Sequence, residues 1–115
     1  MKIVNKAISL DELKTMSKNM YDDLVKVVVD IDQKIMAIDA AMHADEETLL
    51  LENGSKQKYL WGINLYPEEF GTEGWIEFDS MINMRPSDGN RSRGVDNPEI
   101  QKAIVEIVNN LVYKD

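Results

Sequence analysis

The stretch "VKVVVDIDQKIMAID", Val25 to Asp39, decides the fold class. Val25 to Ile31 is β-branched almost throughout, and Lys34 to Asp39 is apolar again after a short polar "DQ", a composition that favours strands over helices. Val25, Val27, Val29 and Ile31 recur at every second residue and therefore share one inward face. The two runs read as a hairpin or as one bent strand, and residues 31–34 leave that choice open.

Upstream, "SLDELKTMSKNMYDDL" opens with a capping-box pattern, Ser9 followed three residues later by Glu12. Leu10, Leu13, Met16, Met20 and Leu24 then lie on or near one stripe, predicting an amphipathic helix of about three turns. "KIVNKAI" before it reads as a short edge strand. Downstream, "HADEETLLLENGS" predicts a short helix from about Asp45 to Asn53, with Asp45 as cap and Gly54 closing it in a left-handed conformation.

"KYLWGINLYP" alternates Tyr59, Trp61, Ile63 and Leu65 against Leu60, Gly62, Asn64 and Tyr66, a strand stopped by Pro67. "WIEFDSMINM" reads as a further strand with Ile76, Phe78, Ile82 and Met84 on one face and Trp75, Glu77, Asp79, Met81 and Asn83 on the other. Trp61 and Trp75 are expected as core anchors rather than a stacking platform for a base. The last segment has Asn97 as cap, Pro98 at the first helical position, and Ile100, Ile104, Ile107, Val108 and Leu111 on one stripe.

The expected order is (β)α-ββ-α-ββ-α. This is an α+β fold: a mainly antiparallel sheet of four to five strands, with three helices covering one face. There is no repeat or linker-like shift in composition, so residues 1–115 are expected to form a single domain.

A chain that is 43% hydrophobic and 30% charged, with no apolar run near the roughly 20 residues that span a bilayer, is expected to be soluble. The N-terminal segment lacks the apolar block of a secretory signal, which predicts a cytoplasmic protein and makes the glycosylation-like triplets at Asn53 and Asn90 chance matches. The absence of cysteine excludes disulfides, thiolate catalysis and cysteine-ligated metal sites. A net charge of −8 makes duplex DNA an unlikely partner and gives no sign of membrane attachment.

Familiar motifs fail on inspection. "DIDQKI" from Asp30 has Ile35 where a calcium loop needs glycine and Ala41 where it needs a bidentate glutamate. "GTEG" has no lysine, so it is not a phosphate loop. His43 and Asp45 are weak metal candidates, able with Glu77 or Asp79 to offer one imidazole and two oxygens. No cofactor is indicated.

One local choice of residue stands out. Residues 85–93 hold all three arginines of an otherwise lysine-only chain, and carry three basic and one acidic side chain where residues 1–84 carry 8 basic and 16 acidic. Arginine suits a flat bidentate grip on carboxylate or phosphate. Arg85, Asn90, Arg91, Ser92 and Arg93 are therefore the candidate anion-binding group, beside a polar face of Asn64, Tyr66, Glu77, Asp79 and Asn83. The competing reading is a clasp, in which the arginines turn back onto Glu77 and Asp79.

The blocks "LWGINLYP", "EFDSMINMRP" and "GNRSR" resemble a family of short prokaryotic proteins known only as a domain of unknown function. The resemblance implies a stand-alone prokaryotic cytoplasmic protein and carries over no activity, ligand or catalytic residue. The reading of the residues themselves is a non-catalytic binding or regulatory module that recognises a small anionic ligand or an acidic partner segment. Two alternatives stand beside it: a metal-assisted phosphoester hydrolase built on an acidic cluster with His43, and a ligand-free homodimeric interaction protein.

Overall fold

A computed structural model describes residues 1–115. Val25–Asp30 (β3) and Ile35–Ile38 (β4) form the hairpin, and Leu60–Leu65 (β5) pairs antiparallel with the other side of β3. Lys2–Val4 (β1) and Ile76–Glu77 (β6) add the two edges, giving a five-stranded sheet of order β1-β4-β3-β5-β6 in which every neighbouring pair is antiparallel. The tight turn is made by Asp30, whose Oδ1 accepts the N–H groups of Asp32 and Gln33 at 2.8 and 3.0 Å, with Lys34 left-handed at φ 59°. That resolves the choice between a hairpin and a bent strand.

Three helices pack on this sheet: Leu10–Met20 (α1), His43–Glu52 (α2) and Pro98–Leu111 (α3). The expectation that all would lie on one face is corrected. Val25, Val27, Val29, Ile63 and Leu65 bury against α1 and α3, whereas Val28, Ala37 and Leu60 point the other way and meet Leu50 of α2. The apolar residues at alternate positions of the central strands thus make two cores, and each needs its own cover.

The helix ends follow local chemistry. Ser9 Oγ accepts the Glu12 N–H at 3.0 Å, but the Glu12 carboxylate turns to Lys2 Nζ, so only half the capping box forms. Asn97 Oδ1 accepts the Glu99 N–H at 2.9 Å ahead of α3. α2 starts two residues earlier than expected, at His43, with Met42 at the cap position and no side chain capping it. Asp45 therefore lies inside the first turn and is not the cap. Gly54, at φ 98°, follows its end.

Two further corrections concern strands. "KIVNKAI" divides: β1 takes the sheet edge, and Ile8–Ser9 (β2) pairs in parallel with Val112–Tyr113 (β7), tying the two ends of the chain together. The run from Trp75 to Met84 is not one strand. Only β6 pairs with β5, after which the chain leaves the sheet and Met81–Asn83 forms a 3-10 turn. Ile76 and Phe78 pack on the larger core, Ile82 packs on the α2 side, and Met84 is exposed, so these four share no face. Trp75 leaves the expected polar face for the core, stacks on Phe70 at 5.0 Å and donates from Nε1 to Asn109 Oδ1. Trp61 is buried as well. No helix is long and apolar enough to cross a membrane.

Candidate functional site

The register of the sheet sets three polar residues side by side, Lys26 of β3 opposite Asn64 of β5 and Asn64 opposite Glu77 of β6. They lie on the face that α2 covers, at the end where α2 begins. Beyond the first turn of α2 that face stays open as a cleft of about 450 Å³, completed by Tyr66, Asp79, Arg93 and the start of α2 at His43 and Ala44. Leu24, Met42, Met81 and Ile82 form its apolar wall.

Within the cleft, Glu77 is held by two donors. Its Oε1 accepts from Asn64 Nδ2 at 2.8 Å and from the Tyr66 hydroxyl at 3.0 Å. Burial, and then the bond to Glu77, push the Tyr66 phenol up to about 12, so it remains a donor throughout the physiological range. Asn64 is nearly buried, and its Oδ1 has no partner. Arg93 meets Asp79 through Nε alone, 2.7 Å from Oδ1, and no protein group binds its terminal nitrogens.

His43 is buried with Nε2 2.7 Å from the Ile63 carbonyl. A carbonyl only accepts, so Nε2 carries the proton and the neutral ring keeps Nδ1 as an acceptor. Burial lowers the imidazole below its ordinary value, and the charges of Lys26 and Arg93 act in the same direction. Asp45 lies elsewhere, in a depression shared with Asp39 and Glu52, and no three His, Asp or Glu side chains converge as a metal cluster. The expected His43–Asp45 grouping is therefore not formed.

The arginine loop divides. Arg85 turns away from the cleft, lays its guanidinium 4.2 Å over the Trp61 ring and donates to the carbonyls of Gln57 at 3.2 Å, Lys58 at 3.3 Å, and Leu60. Asn90 is buried inside the loop: its Nδ2 donates to the carbonyls of Asn83, Ser92 and Gly94, and its Oδ1 accepts the Asp96 N–H. Ser92 Oγ donates to Asp96 Oδ1 at 2.5 Å. That bond and the Arg91 N–H hold the Asp96 carboxyl below the usual carboxylate range. The Arg91 side chain is exposed and unpaired.

Of the expected clasp, only the Arg93–Asp79 pair forms, and no arginine reaches Glu77. Asn83, expected on the open polar face, is fully buried against Gly62. Sequence reasoning missed Lys26, although it is the lone cation inside a β-branched run. His43, expected beside Glu77 or Asp79, does share the cleft with both, although Asp45 does not.

A five-stranded antiparallel sheet with helices on both faces and a polar cleft where one helix begins defines a small α+β protein with a mixed-charge recess on its α2 face. Residues 2–111 match the family described as "Protein of unknown function (DUF5674)", and the chain belongs to that family. No curated protein and no solved structure matches it.

Proposed function

We propose that this protein is a non-catalytic binding or regulatory module that takes a small anionic ligand in the cleft, with Arg93 as the anchor. The observation that carries this reading is the side-on pairing of Arg93. Nε satisfies Asp79, and the two terminal nitrogens, which form the fork that grips carboxylate or phosphate, remain without a protein partner. Two neighbours add to it. Lys26 lies in the same cleft without an acidic partner, and α2 begins there uncapped, its positive end favouring an anion.

Arg85, Asn90 and Ser92 are engaged by the protein's own groups and Arg91 does not line the cleft, which narrows the anion-binding role to Arg93 with Lys26. A non-catalytic role fits His43, which bonds a backbone carbonyl and no hydroxyl or carboxylate. The setting in this reading is the cytoplasm.

Titration of the ¹⁵N-labelled protein with inorganic phosphate and with acetate at constant ionic strength tests the reading. The expected result is saturable amide shifts at Lys26, His43, Ala44, Asp79 and Arg93, lost in Arg93→Ala. Absence of selective shifts at millimolar anion, or shifts that persist in Arg93→Ala, would overturn it.

A further inference from the structure

The charges that line the cleft are not those of a plain anion site. Lys26 and Arg93 supply two formal positive charges, and Glu77 and Asp79 supply two negative ones. Lys26 and Glu77 occupy opposite ends of one cross-strand row through Asn64, two strand spacings or about 10 Å apart at their backbones. An anion alone meets two carboxylates it repels. A compact ligand with a charge of each sign meets complementary groups at the Arg93–Asp79 pair, where a cation and a carboxylate lie side by side in the same cleft.

The hydrogen-bonding capacity left over points the same way. Glu77 uses Oε1 for Asn64 and Tyr66, and its Oε2 has no protein donor. Asp79 gives Oδ1 to Arg93, and its Oδ2 has none. The buried Asn64 Oδ1 is unpartnered, and the neutral His43 ring keeps Nδ1 as an acceptor. These are acceptors waiting for N–H donors. An ammonium group carries three donors and no acceptor, while an ionised carboxylate carries no donor at all.

The third wall is apolar. Met42 and Met81 are 58% and 63% exposed and stand at the cleft with Leu24 and Ile82. Methionine is flexible and polarizable, so it packs against aliphatic groups of varied shape. The volume, about 450 Å³, sits toward the small end of the roughly 300–1,000 Å³ typical of ligand sites.

We infer that the cleft binds a free α-amino acid with an apolar side chain: the carboxylate on the open edge of Arg93, the ammonium among Glu77, Asp79 and Asn64, and the side chain against Met42 and Met81. This rests on the anion reading above and deepens it by naming a second charge and an apolar group on the ligand. Tyr66 acts as a positioning residue, since its hydroxyl holds the Glu77 carboxylate that receives the ammonium.

Calorimetry and amide-shift titration of the unmodified protein with three probes separate the terms: L-leucine, 4-methylpentanoate, which lacks the amine, and 3-methylbutylamine, which lacks the carboxylate. L-leucine is expected to bind at least tenfold more tightly than either truncated probe. Glu77→Gln is expected to weaken L-leucine about tenfold while leaving 4-methylpentanoate equal or tighter, and Arg93→Ala to weaken both. If 4-methylpentanoate binds as tightly as L-leucine, the amino-acid assignment falls and the anion reading stands. If phosphate, acetate and all three probes leave the cleft unshifted, both fall.

Discussion

Asn83 pairs with Gly62 through its side chain as a neighbouring strand would through its backbone. Its Oδ1 accepts the Gly62 N–H at 2.8 Å, and its Nδ2 donates to the Gly62 carbonyl at 2.9 Å. β6 stops pairing at Asn64, so the outward backbone groups of β5 at Gly62 would otherwise be buried and unpaired. The same Nδ2 also reaches the Arg93 carbonyl at 2.9 Å, so one amide closes the sheet edge and fixes the backbone of the cleft arginine. Asn83→Ala strands the buried N–H and carbonyl of Gly62, while the Arg93 carbonyl keeps the Ser80 N–H, and is expected to lower stability by about 2–4 kcal/mol in urea denaturation. A loss below about 1 kcal/mol would show that these groups find other partners.

Gly62 is the other half of this arrangement. A Cβ built there would lie 2.5 Å from Ser80 Cβ and Oγ and 3.2 Å from Ile82 Cγ1. Ser80 is itself tied down, its N–H donating to the Arg93 carbonyl at 2.9 Å, so it has little room to move. Gly62→Ala is therefore expected to destabilise by about 2–3 kcal/mol through overpacking, and to shift the amide resonances of residues 80–83 and 93 together. A neutral effect would mean that the 80–83 turn is free to relax.

What could be read from sequence was what residues decide locally. The two strand runs were legible because β-branching marks them locally, though the Asp30 turn that joins them as a hairpin was left open, and α3 because Asn97, Pro98 and Glu99 mark its start in order. The run from Trp75 to Met84 was not legible. Its alternation suits a long strand, and what ends it is the close approach of Ser80 to Gly62 and the insertion of Asn83, both contacts with a strand some twenty residues away. The second sheet face was missed for a similar reason, since Val28, Ala37 and Leu60 form a core only once three strands are in register. At the site, the carboxylates of "EFD" pointed to the Arg93–Asp79 pair. Lys26 entered only because β3 lies beside β5, which follows from sheet order and not from any motif.

The division of labour between Arg85 and Arg93 gives opposite expectations for two similar substitutions. Arg85 is half-buried, stacked on Trp61 and bonded to carbonyls at residues 57, 58 and 60, of which Gln57 also accepts the Leu60 N–H. Arg85→Lys keeps the charge but not the planar fork, and is expected to destabilise by about 1–3 kcal/mol with a change in tryptophan fluorescence. The Arg93 side chain makes one exposed ion pair, so Arg93→Ala is expected to change stability by less than about 1 kcal/mol. Equal losses in the two variants would contradict the assignment of Arg85 to structure and Arg93 to binding.

The neutral state of His43 has a measurable pH signature. Its folded value lies below the ordinary 6.5, chiefly through burial, so the unfolded chain takes up the proton first as pH falls. Stability is therefore full above about pH 6.5 and declines as pH drops from there toward the folded value. NMR titration of the ring protons should place the midpoint below 6.5. His43→Gln, whose side-chain amide can still donate to the Ile63 carbonyl, should remove this share of the acid-side loss. A midpoint at or above 6.5 would mean that the ring is open to water.

Glu46 works in the opposite direction. The side chain is fully buried on α2, Oε2 accepts only the Ala40 N–H at 3.2 Å, and Oε1 has no partner. Burial outweighs the Ala40 bond and raises the carboxyl from 4.5 to about 9, so the folded protein holds a neutral acid at neutral pH. The unfolded chain ionises near 4.5, which places the pH-dependent cost between that value and about 9. Below the window both states are protonated and the cost is absent; through the window stability falls as pH rises. Glu46→Gln keeps the shape, leaves the Ala40 N–H an acceptor and removes the ionisable proton. At pH 8 it is expected to stabilise the protein by about 2–4 kcal/mol, with an effect near zero at pH 4. Urea midpoints of the two proteins across pH 4 to 9 measure this directly, and parallel curves would show that Glu46 is ionised in the folded state and satisfied by groups other than Ala40.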